Sequence, residues 1–266
     1  MKTALTIAGS DCSGGSSIQA DIKTMMAHGV YGMSAITALT AQNTLGVHDI
    51  YEVTPAFLEA QLDAVFSDIT PDAVKVGMVA NSELIKSISR KLQQYEVKNL
   101  VVDLVMVSAS GVELIKEEAI DTLQEELLQL ADVITPSLPE AEVLADMDVE
   151  SQEDMLTAAK KLHGLYGCSV VIKGGHDLTE GDDLLYTDEG ATWLKGAKLG
   201  DDNAHGLGCT FSSAITANLA NGLPLEDAVR NAIAYVGNAQ ACRFRPGKGM
   251  SVMDHLLTKL DEVPED

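Results

Sequence analysis

The chain has 266 residues, 46% of them hydrophobic but only 4% aromatic, and a formal net charge of −22. That length and apolar content suffice for one large domain with an aliphatic core. So negative a chain repels nucleic-acid phosphates and anionic membrane surfaces at long range, which excludes both as expected partners and otherwise serves solubility.

Residues 3–8 read as a short apolar strand, and the opening MKTALTIAGSD is that strand rather than a signal peptide. Residues 18–28 have helical spacing, and residues 32–40 are again apolar and partly β-branched. An amphipathic helix spans 55–68, with Pro55 in its first turn. The spacing then predicts a strand at 73–76, a helix at 82–95, a strand at 99–107, a helix at 116–130 and a strand at 132–135 stopped by Pro136. Helices follow at 139–146 and 152–166, and a strand at 168–173. Residues 182–188 and 191–194 form a hairpin-type pair around Glu189-Gly190, and helices close the chain at 210–220 and 225–241.

Alternating strands and helices imply an α/β fold with a mainly parallel sheet covered on both faces. One domain is expected over 1–260, with 261–266 as an acidic tail. No apolar stretch reaches the about 20 residues of a membrane span. Four widely separated cysteines, without a C-x-x-C pair, suggest neither a zinc site nor a disulfide framework and fit a reducing cytoplasm.

The stretch Gly206-Leu207-Gly208-Cys209 carries the most chemical information. Glycines at a helix start expose N–H groups to an anion, and a polar reactive side chain beside them points to phosphoryl transfer. A helix start should lower the Cys209 thiol pKa, which suits a base that accepts a hydroxyl proton or a group that positions the hydroxyl. The competing reading is a small buried residue. Lys173, at a strand tip before Gly174-Gly175, is a phosphate ligand or a snorkelling surface lysine.

Other candidates lie where strands end, which is where ligands bind in open parallel sheets. Gln42 offers both a donor and an acceptor to a heterocycle edge, or caps its loop. Asp21 is a pocket carboxylate or a partner of the helix dipole. Asp103, inside a very apolar strand, needs a cation, a metal or strong donors. With Glu140 it would hold Mg2+ near a triphosphate, and pairing with a lysine is the alternative.

Several segments together resemble the hydroxymethylpyrimidine/phosphomethylpyrimidine kinases of thiamine biosynthesis, in the ribokinase-like superfamily. They include Leu5-Thr6-Ile7-Ala8-Gly9-Ser10-Asp11, Gly14-Gly15, Ile18-Gln19-Ala20-Asp21, Thr40-Ala41-Gln42-Asn43-Thr44, Lys75-Val76-Gly77-Met78, Leu138-Pro139-Glu140, Lys173-Gly174-Gly175-His176 and His205-Gly206 with Gly208-Cys209-Thr210. The resemblance implies a three-layer sheet-and-helix fold, usually dimeric, and a need for ATP and Mg2+. It implies phosphorylation of 4-amino-5-hydroxymethyl-2-methylpyrimidine and then of its monophosphate. By position, Gln42 and Asp21 would contact the pyrimidine, with Met78 and Val105 as apolar walls. Lys173 would face the ATP phosphates, Asp103 and Glu140 would lie near metal and phosphates, and the backbone of residues 206–209 would form the anion hole. Cys209 would take the catalytic position, which is aspartate in many relatives outside this subgroup.

Four departures stand out. Ser17 replaces a glycine, Ser137 replaces an asparagine, Leu207 replaces a threonine, and Pro246-Gly247-Lys248-Gly249-Met250 stands where a glycine–histidine–glycine–proline run is usual. A pyridoxal kinase is the near alternative, because relatives with cysteine at this position can accept pyridoxal-type alcohols. A non-catalytic ligand-binding relative is the alternative from another class.

Overall fold

The computed structural model describes residues 1–106, 114–174, 176–179, 181–196 and 204–257. Its strands are β1 (Thr3–Asp11), β2 (Tyr31–Asn43), β3 (Gly46–Glu52), β4 (Ala73–Val76), β5 (Leu100–Val102), β6 (Val133–Ile134), β7 (Ser169–Ile172), β8 (Asp183–Thr187) and β9 (Gly190–Leu194). They form one nine-stranded sheet in the order β3-β2-β1-β4-β5-β6-β7-β8-β9. Pairing is parallel from β2 through β1, β4, β5 and β6 to β7, and antiparallel at β2–β3, β7–β8 and β8–β9.

Both faces are covered, as the mainly apolar strands β1, β4 and β5, buried almost throughout, require. On one face, Leu5, Ile7, Val74, Val76, Leu100 and Val102 pack under α2 (Pro55–Phe66), α3 (Ser82–Gln94), α5 (Leu138–Ala145) and α6 (Gln152–Tyr166). On the other, Ala4, Ala73, Val101, Val133 and Val171 meet α1 (Ser17–Ala27), α8 (Leu207–Ala220) and α9 (Leu225–Ala241). Local chemistry sets the helix starts. Thr54 accepts from the Phe57 N–H ahead of Pro55, and Asn81 and Ser151 cap α3 and α6 in the same way.

Several elements differ from the sequence expectation. The β3 strand was not expected, and neither was the short α7 (His176–Thr179). The strand expected at 99–107 is shortened to Leu100–Val102, although the Asp103 N–H still donates to the Val76 carbonyl at 2.8 Å; Val107 lies outside the described residues. The helix expected at 116–130 splits into α4 (Glu117–Thr122), a π-helical turn (Leu123–Leu127) and a 3-10 turn (Leu128–Leu130). A straight α-helix would point Leu128 well away from Leu123, whereas the widened turn lets Leu123, Leu127 and Leu128 all reach the core. Finally, α8 begins at Leu207, three residues before the expected start, so Cys209 lies inside the first turn. Gly175, Asn203 and the 261–266 tail lie outside the described residues.

The β1–α1 turn contains Gly14 at φ +83° and Ser17 at φ +53°. Both angles lie in the left-handed region, where glycine is at ease and a residue with a Cβ is not. Ser17 therefore carries backbone strain at the point where the resemblance leads one to expect glycine. Ser17→Gly is expected to raise unfolding stability by about 1 kcal/mol, read from urea denaturation, and a lower stability would remove this account.

Candidate active site

A cavity of about 330 Å³ opens at the C-terminal ends of the parallel strands. Gln42, Met78, Val105, Asp103, Glu140, Lys173 and residues 206–209 all line it. Of the residues singled out from sequence, only Asp21 does not.

The first turn of α8 forms one wall. Gly206 is its N-cap at φ +87°, and a Cβ there would come within 2.0 Å of the Gly15 carbonyl oxygen. Glycine thus allows the helix start to press against the β1–α1 loop. The first helical hydrogen bond runs from the Thr210 N–H to the Gly206 carbonyl at 2.9 Å. The N–H groups of Leu207, Gly208 and Cys209 consequently have no carbonyl within the helix and are available to an anion. Leu207 contributes its N–H regardless of side chain, while that side chain packs against the α8–α9 cluster. A Cβ on Gly208 would stand 3.6 Å from Lys173 Nζ and 3.9 Å from Asp103 Oδ2, so glycine keeps the space before these groups open.

Cys209 corrects an expectation. Burial pushes its thiol up to about 11. The Lys75 charge and the Ser17 N–H, which donates to the sulfur, work against this, while Asp21 and Asp103 add to it. Loss of hydration and two nearby carboxylates therefore outweigh the helix terminus, and the group is a neutral thiol near neutral pH.

Asp103 is buried. Its Oδ1 accepts from Thr135 Oγ1 at 2.9 Å and Lys173 Nζ at 3.3 Å, and its Oδ2 from Ser212 Oγ at 2.9 Å. Burial alone would favour the acid form, but Lys173, Lys75 and these hydroxyls hold the carboxyl below the usual range. Lys173 also lies 4.0 Å from Glu140 Oε2. Glu140 in turn accepts from the Ser137 N–H and Oγ at 2.7 and 2.8 Å, closing a capping box on α5. The shorter Ser137 is therefore a helix cap. Among the described residues no group of three or more His, Cys, Asp or Glu is placed to hold a metal by itself. Mg2+ commonly binds through one or two carboxylates, waters and substrate phosphates, and Asp103 with Glu140 on the cavity wall fits that pattern.

Asp21 is the second correction. It is fully buried, and it accepts from Lys75 Nζ at 2.6 Å, Thr6 Oγ1 at 2.6 Å and Ser213 Oγ at 2.7 Å. These partners hold it inside the protein, away from any cavity ligand. Its partner Lys75 is also fully buried. Burial would strip the proton from this lysine, yet the Asp21 carboxylate, with Cys209 and Asp103 nearby, raises its pKa instead. Ser213 is one helical turn beyond Cys209, so the ion pair sits under the N-terminal end of α8.

Gln42 and the apolar walls are assembled at the other end of the cavity. Met78 packs with Ala38, Leu114, Ile50 and Val105. Gly9 gives Met78 room, since a Cβ there would come 3.0 Å from its sulfur. The Gln42 carboxamide stands 2.8 Å from His205 Nε2 and 3.1 Å from Thr40 Oγ1. Sequence reasoning did not assign His205 or Asp11. Asp11 accepts the N–H groups of Ser13, Gly15 and Ser16, the Ser13 and Ser16 hydroxyls, and His205 Nε2 at 3.2 Å. Burial opposes ionisation here, but the His205 and Ser13 bonds hold Asp11 well below the usual carboxylate range. The Asp11-Cys12-Ser13 spacing, typical of a side chain capping its own loop, was the available signal.

Comparison with known proteins identifies the family. The sequence profile of the phosphomethylpyrimidine kinases matches residues 11–254. The chain belongs to the phosphomethylpyrimidine kinase family. It is 41% identical to the hydroxymethylpyrimidine/phosphomethylpyrimidine kinase of Bacillus subtilis, over 98% of this chain and 97% of that one. It is 45% identical to the thiamine biosynthesis bifunctional protein ThiED of Geobacter sulfurreducens, covering 97% of this chain but 53% of that longer protein. Among solved structures, the phosphomethylpyrimidine kinase of Clostridium difficile superposes with a TM-score of 0.81 at 42% identity, over 90% of this chain and 99% of that one. The pyridoxal kinase of Bacillus subtilis in its ADP complex superposes at 0.89 with 37% identity, over 98% and 99%. The family membership also carries the ribokinase-like three-layer fold.

Two outcomes follow from the buried charges. Asp21→Ala is expected to cost about 3–5 kcal/mol of stability by leaving Lys75 charged and unpaired, and a cost below 1 kcal/mol in urea unfolding would contradict the pairing. In a Cys12→Ser background, alkylation of Cys209 by iodoacetamide is expected to rise with pH towards a midpoint about 11, because the thiolate is the nucleophile. A midpoint below 9 would show that the helix terminus prevails after all.

Proposed function

We propose that this protein transfers the terminal phosphoryl group of ATP to the hydroxymethyl group of 4-amino-5-hydroxymethyl-2-methylpyrimidine, and then phosphorylates the resulting monophosphate, in thiamine biosynthesis. The observation that carries this reading is the meeting, in one cavity, of the free N–H groups of α8, Lys173, Cys209 and an apolar slot ending in Gln42. Use of ATP is supported by relatives solved with nucleotides, such as the Staphylococcus aureus pyridoxal kinase with AMP-PCP.

Phosphoryl transfer needs alignment and charge stabilisation more than covalent help from the protein. The N–H groups of residues 207–209 would hold the equatorial oxygens of the moving group, and Lys173 would neutralise charge beside them. Mg2+, when bound with the nucleotide, would supply further neutralisation, with Asp103 and Glu140 as the carboxylates to hold it or its waters. Met78 and Val105 would form the walls of the ring slot, with the Gln42 amide at its edge. A thiol pushed up to about 11 is a poor resting base, which favours Cys209 as the group that positions the attacking hydroxyl. Being neutral, it adds no negative charge next to the phosphates, in a chain that already carries −22.

We also propose a homodimer formed by the β2–β3 edge. There β3 ends the sheet, and Leu39 and Tyr51, partners across the two strands, are exposed together. Four free cysteines support a place in the reducing cytoplasm.

The likeness to pyridoxal kinases of Bacillus subtilis and Staphylococcus aureus supports a second reading, phosphorylation of pyridoxal. Mass-resolved product analysis separates the readings, with Mg-ATP and hydroxymethylpyrimidine, its monophosphate or pyridoxal in separate reactions. Pyrimidine diphosphate is the expected product, and pyridoxal phosphate as the dominant product would reverse the order. Cys209→Ala is expected to lower kcat about 100-fold with little change in the ATP KM, whereas near-normal turnover would remove Cys209 from the reaction.

A further inference from the structure

The place of His205 is fixed from several sides. Its backbone N–H donates to the Ser251 carbonyl at 2.8 Å, and it bridges to Val252. Its ring lies against Gly15, where a Cβ would come 2.7 Å from Cδ2. One ring nitrogen, Nε2, faces two groups at once: Asp11 Oδ2 at 3.2 Å and the Gln42 carboxamide at 2.8 Å. The other, Nδ1, is buried and has no hydrogen-bond partner among the described residues.

These contacts determine where the hydrogens go. A carboxylate only accepts, so Nε2 must carry its hydrogen to bond Asp11. A nitrogen that carries a hydrogen cannot accept from an amide NH2. The Gln42 group facing it must then be the carboxamide oxygen, which shares that one hydrogen with Asp11, with the NH2 turned the other way, an end-for-end choice that heavy-atom positions alone do not settle. Thr40 agrees with this choice. Its hydroxyl donates to the Ser10 carbonyl at 3.1 Å, which leaves it free to accept from the Gln42 NH2 at 3.1 Å. The opposite orientation would place a lone pair of Nε2 against the Asp11 carboxylate and a hydrogen on Nδ1, a buried donor with no acceptor among the described residues.

We propose that His205 is a positioning residue for substrate recognition, in which the chain Asp11–His205–Gln42–Thr40 locks the Gln42 carboxamide in one orientation. A carboxamide has two oxygen lone pairs and two N–H groups. His205 and Thr40 take one of each, leaving one acceptor and one donor in a fixed order. That pair complements a heterocycle edge on which an amino group sits beside a ring nitrogen. The reversed amide would present the same two groups in the opposite order. His205 therefore sets which way round, and how tightly, an aminopyrimidine-type edge is held, while taking no part in phosphoryl transfer. The inference rests on the pyrimidine kinase reading given above.

The test is steady-state kinetics with hydroxymethylpyrimidine and ATP on four proteins: wild type, His205→Phe, Gln42→Ala and the double variant. Phenylalanine keeps the packing on Gly15 but cannot bond. His205→Phe is expected to raise the pyrimidine KM about tenfold, with the ATP KM unchanged and kcat reduced less than threefold. In the Gln42→Ala background the same change is expected to have no further effect on the pyrimidine KM. His205→Gln, whose Nε2–H can stand where the imidazole N–H stood, is expected to restore most of the affinity. If His205→Phe does not fold, His205→Asn, which is too short to place an N–H there, is expected to show the raised KM. An unchanged pyrimidine KM in the folded variant, or effects of His205→Phe and Gln42→Ala that simply add, would overturn the proposal while leaving the kinase reading intact. A wild-type protein that turns over no pyrimidine would overturn that reading, and this proposal with it.

Discussion

Lys75 holds a positive charge in the middle of the sheet with no access to water, and the ground beneath the site is arranged to compensate it. Asp21 supplies the countercharge, and Thr6 and Ser213 occupy the remaining positions on its oxygens. An ion in such a place is tolerated only when its partner is close and fully bonded. That demand ties α1, β1, β4 and α8 to one another, and so decides where the first turn of α8 stands. The Cys209 sulfur and its neighbouring N–H groups inherit their position from it.

A second pair, Asp103 with Lys173, lies nearer the cavity and differs in kind. Lys173 is partly exposed at 19%, against 0% for Lys75. The lower pair is dry and structural, and the upper one has one side open to a ligand. Together the two lysines and the helix N-terminus place positive potential in a molecule whose net charge would otherwise repel a phosphate. The carboxylates around them keep that potential local.

Much of the frame could be read from the sequence because aliphatic strands and amphipathic helices differ in period. The β3 strand was missed because Val47-His48-Asp49-Ile50-Tyr51-Glu52 is an exposed edge, where no buried face imposes alternation. Positions at strand ends were legible for Gln42, Met78, Val105, Asp103, Glu140 and Lys173, which do reach one cavity. What failed was pairing across long separations. Asp21 looked like a pocket carboxylate because its partner lies 54 residues away. A lysine inside Ala73-Val74-Lys75-Val76 was the signal that a buried carboxylate had to exist. The Cys209 pKa was misread for a related reason, since a helix terminus is visible in a sequence and the depth of burial is not.

The contact between Asp11 and His205 joins residues 194 apart. One belongs to the first strand of the sheet, and the other leads into the penultimate helix. The glycine loop, the Gln42 amide and the first turn of α8 all meet through that contact. During synthesis the N-terminal half of the sheet emerges long before the segment that completes the site. Until then Asp11 lacks its imidazole and Asp21 lacks the Ser213 hydroxyl, so the early chain holds buried-type carboxylates with incomplete partners. Catalytic competence therefore arrives late, with the closure of the 194-residue separation between Asp11 and His205.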